Sequence, residues 1–457
     1  MSGVLPAHDT IVAIASAPGR GATALVRLSG PDAFAIAAKH LDPLPSEPRI
    51  AHLCAVLSGY GEHIDEKLDQ ALVTLFPAPN SFTGDDTVEF STHGGYIVPS
   101  SVIAALTATG ARQALPGEFT RRAVLNGKLD ILQAEAIGDL VDASSRVMQR
   151  TAVGQLDGGL SRRLLGLRQD VLGLEALIAY DVDFPEEDDG PIPRARIEKA
   201  AESVVRSLDS LLSTAAVGEL VREGAVVVIA GPPNAGKSSL FNALLGRSRA
   251  IVTEIPGTTR DALEAVIDGG KWPLRLVDTA GLRETKDRIE KLGIEVSEQY
   301  LADAHVVLAC AETEKSLDQT IALIRSRTRA PVIAVRTKAD LVSNGDKLTI
   351  ANAIAVSAES GSGLPRLLET VESAIDQHQG SVDVDLPILT RARHRKALET
   401  ARDEVGQFCQ TWRGQRFPAT VAAVHLRSAV SELEELVGAI DVEDVLDRVF
   451  SSFCVGK

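Results

Sequence analysis

One stretch constrains the fold more than any other: Ala225 to Ser239, AVVVIAGPPNAGKSS. Five apolar residues, Ala225 to Ile229, predict a buried strand. The run from Gly231 to Ser238 then satisfies G-x-x-x-x-G-K-[ST] at every fixed position, and SSLFNALLG predicts the helix that must follow. The residue types have physical reasons. Glycines let the backbone curl so that successive N–H groups converge on phosphate oxygens. The helix start adds the positive end of its dipole. Lys237 is the residue to reach the β/γ-phosphates, and the Ser238 hydroxyl is the ligand for Mg²⁺.

With 457 residues the chain is too long for one core, and several domains are expected. Its 47 Lys+Arg against 62 Asp+Glu give a net charge of −15, which disfavours a generally basic nucleic-acid-coating protein. The cysteines Cys54, Cys310, Cys409 and Cys454 lack C-x-x-C spacing, so neither a disulfide framework nor structural zinc is expected. The N-terminal IVAIASA run follows Asp9 and lacks the basic lead of a signal peptide. No stretch of roughly 18 apolar residues occurs, and the expectation is a cytoplasmic chain with reduced thiols.

The first 120 residues mix strand-like runs (DTIVAIASAP, ALVRLSG, LDQALVTLFPAP, DTVEFSTHGG) with one helical run, VPSSVIAALTATGA. They predict an α+β domain whose punctuation, PGRG, PNSFTGDD and HGG, suits a small-molecule pocket and ordinary turns alike. Residues 121–219 carry helical periodicity, broken by DVDFPEEDDG, a candidate metal cluster but better read as a solvated loop. Residues 220–378 alternate strand and helix, and 379–457 return to helical texture. That order implies a discontinuous helical domain with a doubly wound α/β nucleotide-binding domain inserted into it. The basic run Arg391, Arg393, His394, Arg395 and Lys396 is either an RNA contact or a solvated helix face.

Elements beyond the phosphate loop choose the nucleotide. LRLVDTAG ends a strand at Asp278, a carboxylate placed to support Mg²⁺ through water, and Gly281 frees an N–H for the γ-phosphate. PVIAVRTKAD ends another strand at Thr337-Lys338-Ala339-Asp340. The Asp340 carboxylate can accept both N–H donors of guanine's N1/N2 edge, a pair that adenine lacks, at roughly 1.5–3 kcal/mol per charge-assisted bond. The Lys338 stem can cover the base, and Ser357-Ala358 can offer a backbone N–H to guanine O6. GTTRD at Gly257 occupies the place of a switch segment, with Thr259 as the second Mg²⁺ hydroxyl. The expected nucleotide contacts are therefore Asn234 to Ser239, Thr253, Glu254, Ile255, Pro256, Gly257, Thr258, Thr259, Asp278 to Gly281 (Thr279 and Ala280 included), Thr337 to Asp340, and Ser357, Ala358 and Glu359. Two departures from the usual GTPase pattern stand out. Thr337 replaces the asparagine of N-K-x-D, which implies looser guanine binding. Leu282 follows DTAG where a water-orienting glutamine often stands, so hydrolysis needs another group; Glu284 and Glu290 are nearest. Nor is an arginine finger evident, and Asn234 with carbonyls near Thr253 to Thr258 could instead hold a monovalent cation.

PGRG, PNSFTGDD, the text from Pro116 to Ser145, GPPNAGKSSL, GTTRD, DTAGLRE and the terminal FSSFCVGK together resemble the MnmE (TrmE) family of tRNA-modification GTPases, over almost all of the chain. The resemblance implies a dimerising N-terminal domain that binds 5-formyl-tetrahydrofolate, with Arg27, Glu89, Lys128 and Lys457 at the matching positions and Cys454 as a possible nucleophile. It implies K⁺ at Asn234, Thr253, Ile255 and Thr258, with Glu290 placing the attacking water; Lys237 of the phosphate loop is the other residue expected to be catalytic. It further implies GTP-driven closure of two G domains in a homodimer, and an FAD-containing MnmG-type partner in a two-plus-two complex. Together these would install a carboxymethylaminomethyl group on C5 of the wobble uridine of certain tRNAs. The −15 charge suggests that much of the tRNA contact lies on the partner. A ribosome-assembly GTPase of the Era/Der type is the alternative, and a folate-dependent one-carbon transferase a third reading.

Overall fold

The computed structural model describes residues 9–59, 66–183, 192–247, 263–278, 299–341, 353–379, 386–414, 418–438, 453 and 456. These group into two compact units, one within Met1–Gly138 and Val437–Lys457, the other within Asp139–Leu436.

The first unit is built on a seven-stranded sheet of order β3-β4-β5-β6-β2-β1-β7. Its strands are β1 (Ile11–Ile14), β2 (Thr23–Ser29), β3 (Leu41–Asp42), β4 (His52–Leu57), β5 (Lys67–Phe76), β6 (Thr87–His93) and β7 (Arg112–Gln113). The expected strands and the helix Ile97–Ala108 are present, and β4 is an addition that HLCAVL only weakly signals. Alternation explains the layering. Val26, Leu28, Val88, Phe90, Val73 and Val56 point to one face and form the core with the helices Ala33–Ala38 and Ile97–Ala108. The opposite parity carries Arg27 and Glu89, which are register partners across β2 and β6. The antiparallel ladder therefore sets residues 62 apart in sequence side by side.

In the second unit β8 (Ala225–Ala230), β9 (Leu263–Asp268), β10 (Pro273–Asp278), β11 (Val306–Ala311), β12 (Val332–Arg336) and β13 (Ile354–Ala355) form a sheet of order β13-β12-β11-β8-β10-β9. All neighbours are parallel except β10 and β9. Strands β8 and β11 are buried at every residue, as continuous apolar runs covered on both faces must be. Trp272, fully buried in the β9–β10 turn region, donates its indole N–H to Asp376 (2.9 Å). Helices Gly159–Asp183, Arg194–Leu212, Ala392–Gly414 and Ala419–Val437 supply the helical part that brackets the α/β part in sequence. The helix Ala215–Glu223 shares a core with the sheet through Val217, Leu220 and Val221. Where the sequence reads as continuous helix through 131–156, the chain breaks before Ser145, whose hydroxyl caps the next helix by accepting Met148 N–H (3.2 Å).

The DVDFPEEDDG acidic stretch lies mostly outside the described residues, and among the described residues no His/Cys/Asp/Glu group is arranged to hold a metal. The basic run at Arg391 is largely engaged in intramolecular contacts: Arg391 pairs with Asp139 (2.7 Å), Arg395 with Glu219 (2.8 Å), and His394 is buried. Among the described residues no helix is long and apolar enough to cross a membrane.

Candidate functional site: a nucleotide cleft at the strand ends

The phosphate loop leaves β8 at the centre of the sheet, at the carboxyl ends of the parallel strands, where open α/β sheets bind ligands. Gly231 can only be glycine there. A Cβ would stand 2.2 Å from the Cys310 carbonyl oxygen on neighbouring β11. The loop then curls through left-handed backbone at Asn234 (φ 62°) and Gly236 (φ 75°) into the helix Lys237–Arg247. Lys237 is buried, and its ammonium donates to the loop's own Pro232 carbonyl at 2.9 Å. Ser238 Oγ donates to Asp278 Oδ2 at 2.6 Å. Asp278, the last residue of β10, is 0% exposed. A hydroxyl and a buried carboxylate form a hard oxygen donor set, which fits Mg²⁺.

At the end of β12, Thr337 carries a contact that the motif comparison alone does not reveal. Its buried hydroxyl donates to the Ala235 carbonyl at 2.8 Å, tying the base-recognition segment to the phosphate loop. Lys338 takes left-handed backbone (φ 54°) and forms an ion pair with Glu312. Ala339 N–H donates to the Val356 carbonyl (3.0 Å), which docks the segment onto the strand that leads to Ser357. A hydrogen bond from the Ser357 side chain holds the exposed Asp340 carboxyl below its usual range, and its own backbone N–H and Lys338 act the same way. Asp340 is thus a fixed, ionised acceptor. A cavity of about 560 Å³ lies between Thr337, Lys338, Asp340, Ala358, Glu359 and the first turns of the loop helix. A second, of about 930 Å³, runs along Pro232 to Ser239 beneath the helix Glu314–Arg325. The structure therefore brings together Asn234 to Ser239, Asp278, Thr337 to Asp340 and Ser357 to Glu359. Thr253, Glu254, Ile255, Pro256, Gly257, Thr258, Thr259, Thr279, Ala280, Gly281 and Glu290 lie outside the described residues.

On the sheet of the first unit, Arg27 and Glu89 meet as a 2.8 Å ion pair. The guanidinium also lies 5.1 Å from the Phe82 ring and 5.6 Å from that of Phe119. Lys128 donates to the Pro79 carbonyl (3.0 Å) and Asn126 to that of Thr83 (2.7 Å), so both tie to the 79–86 loop that carries Phe82. Arg27 and Lys128, two of the four residues expected for folate, thus meet one loop, and Glu89 joins them through its pair with Arg27. Lys457 and Cys454 lie outside the described residues. Their neighbour Gly456 (φ 101°) packs on the end of β1, where a Cβ would stand 2.0 Å from the Ile14 carbonyl oxygen. Sequence reading missed the aromatic pair. Phe82 and Phe119 stand inside PNSFTGDD and PGEFTRR, where an aromatic amid turn residues was the available signal.

Known proteins are similar to this chain along nearly all of its length. Residues 10–128 match the family model described as GTP-binding protein TrmE N-terminus, and residues 131–454 that of the MnmE helical domain. Proteins named tRNA modification GTPase MnmE are similar over 98% of this chain: that of Moorella thermoacetica at 39% identity and 99% of its length, and that of Aquifex aeolicus at 36% and its full length. The Pseudomonas fluorescens protein of that name is 40% identical over 98% of this chain and 99% of its own. Among solved structures, the G domain of the T. maritima FeoB iron transporter aligns with 33% of this chain and 98% of its own at 26% identity, with a TM-score of 0.27. With family matches over residues 10–128 and 131–454 and relatives alike from end to end, the chain belongs to the MnmE (TrmE) family of tRNA modification GTPases.

Proposed function

We propose that this chain is a potassium-dependent GTPase that, with an FAD-containing MnmG-type partner in a two-plus-two assembly, adds a carboxymethylaminomethyl group to C5 of the wobble uridine of certain tRNAs. The observation that carries it is the convergence, at one set of strand ends, of Lys237, the Ser238–Asp278 pair and the Asp340 carboxylate. Family membership makes the chain a GTP hydrolase that uses Mg²⁺. Asp340 selects guanine, Lys338 and Ala358 bracket the base, and Lys237 with the loop N–H groups takes the phosphates. Ser238 and Thr259 are the hydroxyls for Mg²⁺, which when bound offsets charge on the β- and γ-phosphates. Residues Asn234, Thr253, Ile255 and Thr258 would hold K⁺ in place of an arginine finger, and Glu290 would position the water. Closure of two G domains in a homodimer then orders these segments around GTP. The first unit would bind a reduced folate of the 5-formyl-tetrahydrofolate kind at Arg27, Glu89, Lys128 and Lys457, beside Cys454. The Arg27–Glu89 pair and the packing of Gly456 against β1 support this reading.

The test is GTP turnover in KCl and in NaCl at equal ionic strength, with Glu290→Ala alongside. A large gain in K⁺ that the substitution abolishes is the expected result. Equal rates in both salts would undo the cation assignment and turn attention to a positive charge supplied by a partner.

A further inference from the structure

Two glycine-rich words of the first unit, PGRG at Pro18 and HGG at His93, have no part in the sites described above, and the fold brings them together. Gly94 N–H donates to the Ala22 carbonyl (3.2 Å), and a Cβ on Gly94 would stand 2.2 Å from the Gly21 carbonyl oxygen. Gly19 (φ 128°) and Gly95 (φ 115°) take backbone that favours glycine, with open space where a Cβ would be. At this junction stands His93, the last residue of β6.

Asp69 holds this histidine at two atoms. One carboxylate oxygen accepts the His93 backbone N–H (2.8 Å) and the other accepts the ring at Nδ1 (2.8 Å). Burial pushes the Asp69 carboxyl up, but the bonds from His93 and from the Gln70 backbone more than offset it and bring the carboxyl below its ordinary value. An ionised carboxylate can only accept, so the neutral ring carries its proton on Nδ1 and presents its lone pair at Nε2. Nε2 has no hydrogen bond among the described residues, and the His93 side chain is 72% exposed against 8% for that of Asp69. An exposed ion pair contributes only about 0–1 kcal/mol to a fold, so stability does not account for a ring held in one orientation in the open. His40 of the same unit is the structural counterpart. It is fully buried, and both of its nitrogens are spent, on the Leu57 carbonyl (3.0 Å) and the Thr109 hydroxyl (2.8 Å).

Register places His93 beside a site already described. His93, Ser91 and Glu89 alternate along one face of β6, opposite Thr23, Leu25 and Arg27 of β2. His93 therefore lies four residues along the strand from Glu89, about 13 Å at strand spacing. Exposed Leu72, the register partner of Ser91 on β5, lies between them. An elongated ligand anchored at Arg27 and Glu89 can run along this face toward the imidazole.

We infer that His93 is a general base of the tRNA modification: oriented by Asp69, its Nε2 takes a proton from the ammonium form of the small primary amine whose nitrogen enters the carboxymethylaminomethyl group. The inference rests on the tRNA reading above. An ammonium nitrogen has no lone pair with which to form a C–N bond, so one proton must leave before the amine can act as nucleophile. The step moves that proton and no electrons. It leaves a neutral amine and an imidazolium, which Asp69 stabilises and which returns its proton to water through the exposed edge of the ring.

The experiment combines the full-length protein with its flavoprotein partner, an unmodified wobble-uridine tRNA, GTP, methylene-tetrahydrofolate and glycine, and follows the modified nucleoside by mass spectrometry. The variants are His93→Ala, with and without added imidazole, and Asp69→Asn. His93→Ala should lower the rate about 100-fold, and imidazole, which the open site admits, should restore it at least about tenfold. Asp69→Asn keeps the ring but frees its tautomer and orientation; it should lower the rate about tenfold, with no rescue by imidazole. GTP turnover without tRNA should match wild type in both variants. An unchanged rate in His93→Ala overturns the base assignment. So does a loss that imidazole leaves in place, which would make His93 a structural cap on β6. Wild-type protein that neither binds the tRNA with its partner nor modifies it would overturn the tRNA reading, and the base assignment with it.

Discussion

The nucleotide cleft and the Arg27–Glu89 site are both made of charged side chains on sheets, yet they are assembled by opposite logics. The cleft collects groups at the carboxyl ends of parallel strands, so each contribution is a short contiguous word: GPPNAGKSS after β8, Asp278 at the end of β10, TKAD after β12. The other site is a patch on an antiparallel face, where β2 and β6 set Arg27 against Glu89 and the distant Phe82 and Phe119 close around the guanidinium. Strand-end sites keep their chemistry in local sequence. Sheet-face sites keep it in register.

The comparison breaks first, and hardest, at Asp340. If this one carboxylate recognises the guanine edge, Asp340→Asn removes two charge-assisted bonds, together about 3–6 kcal/mol. GTP affinity should fall by about 10²–10⁴. The new amide presents a donor that matches the C2 carbonyl of xanthine, so xanthosine triphosphate should regain binding. Equal losses for both nucleotides in a titration with fluorescent analogues would detach specificity from Asp340. At the sheet-face site the corresponding change is Arg27→Ala, which also strips Glu89 of its partner. Reduced-folate affinity should drop about 10–100-fold by calorimetry while GTP turnover measured without folate stays at wild-type level. A parallel loss of GTP turnover would show that the two sites are not separable in this way.

Thr337 sharpens the contrast further. Read as a motif, threonine in place of asparagine is a weakened guanine contact; in the fold it is a tie to the Ala235 carbonyl at 2.8 Å. Thr337→Val keeps the shape and leaves that carbonyl unmet, so the second unit should lose about 1–3 kcal/mol in urea unfolding. GTP affinity should fall about tenfold, because the loop and the base segment lose their fixed relation. Thr337→Asn should retain most of it. If valine is neutral, the bond is dispensable and the motif-level account stands.

How much of this was legible follows from the same distinction. The alternation of strands and helices, the loop at β8 and the aspartates at 278 and 340 could be read directly, because strand-end words are short and their residue types have single purposes. The pairing of Ser238 with Asp278 was half legible: both residues were named for Mg²⁺, but their 2.6 Å contact depends on β10 lying beside β8. The Arg27, Glu89 and Lys128 set came only from family resemblance, since no spacing rule joins residues 62 apart. Phe82 and Phe119 escaped because an aromatic within a turn reads as punctuation until the guanidinium it faces is known. The basic run at Arg391 shows the reverse error of composition. A cluster that looks free to meet RNA is spent largely on Asp139 and Glu219.

The smallest effect sets the units apart by acid. In the first unit Glu118, 3% exposed, receives Arg112 (2.7 Å), Arg122 (3.0 Å) and Leu115 N–H (2.8 Å). Burial alone would push its carboxyl up, but these hydrogen bonds and the nearby positive charge bring it below its ordinary value. Asp9, between the same two arginines, is likewise lowered against the pull of burial. A lowered carboxyl stabilises the fold above its unfolded pKa, about 4, and that contribution disappears as pH falls through the lower folded value. In the second unit Glu432 moves the other way: burial, and then the neighbouring Glu435 and Glu404, raise its carboxyl. Its relative stabilisation is complete below the unfolded value and is lost as pH rises through the folded one, so acid favours it. The second unit also holds a lowered carboxyl in Asp340, but that one is exposed and Glu432 opposes it, so among these carboxyls the buried Asp9–Glu118 cluster makes the first unit the more sensitive to acid. Both tryptophans, Trp272 and Trp412, belong to the second unit, so their emission reports on it alone while far-ultraviolet circular dichroism reports on both. Between about pH 4 and 2 the dichroism should fall before the tryptophan emission shifts, and Glu118→Gln should shrink that gap. Coincident transitions would mean that the units lose stability together and that the Asp9–Glu118 cluster does not set the acid limit of the first.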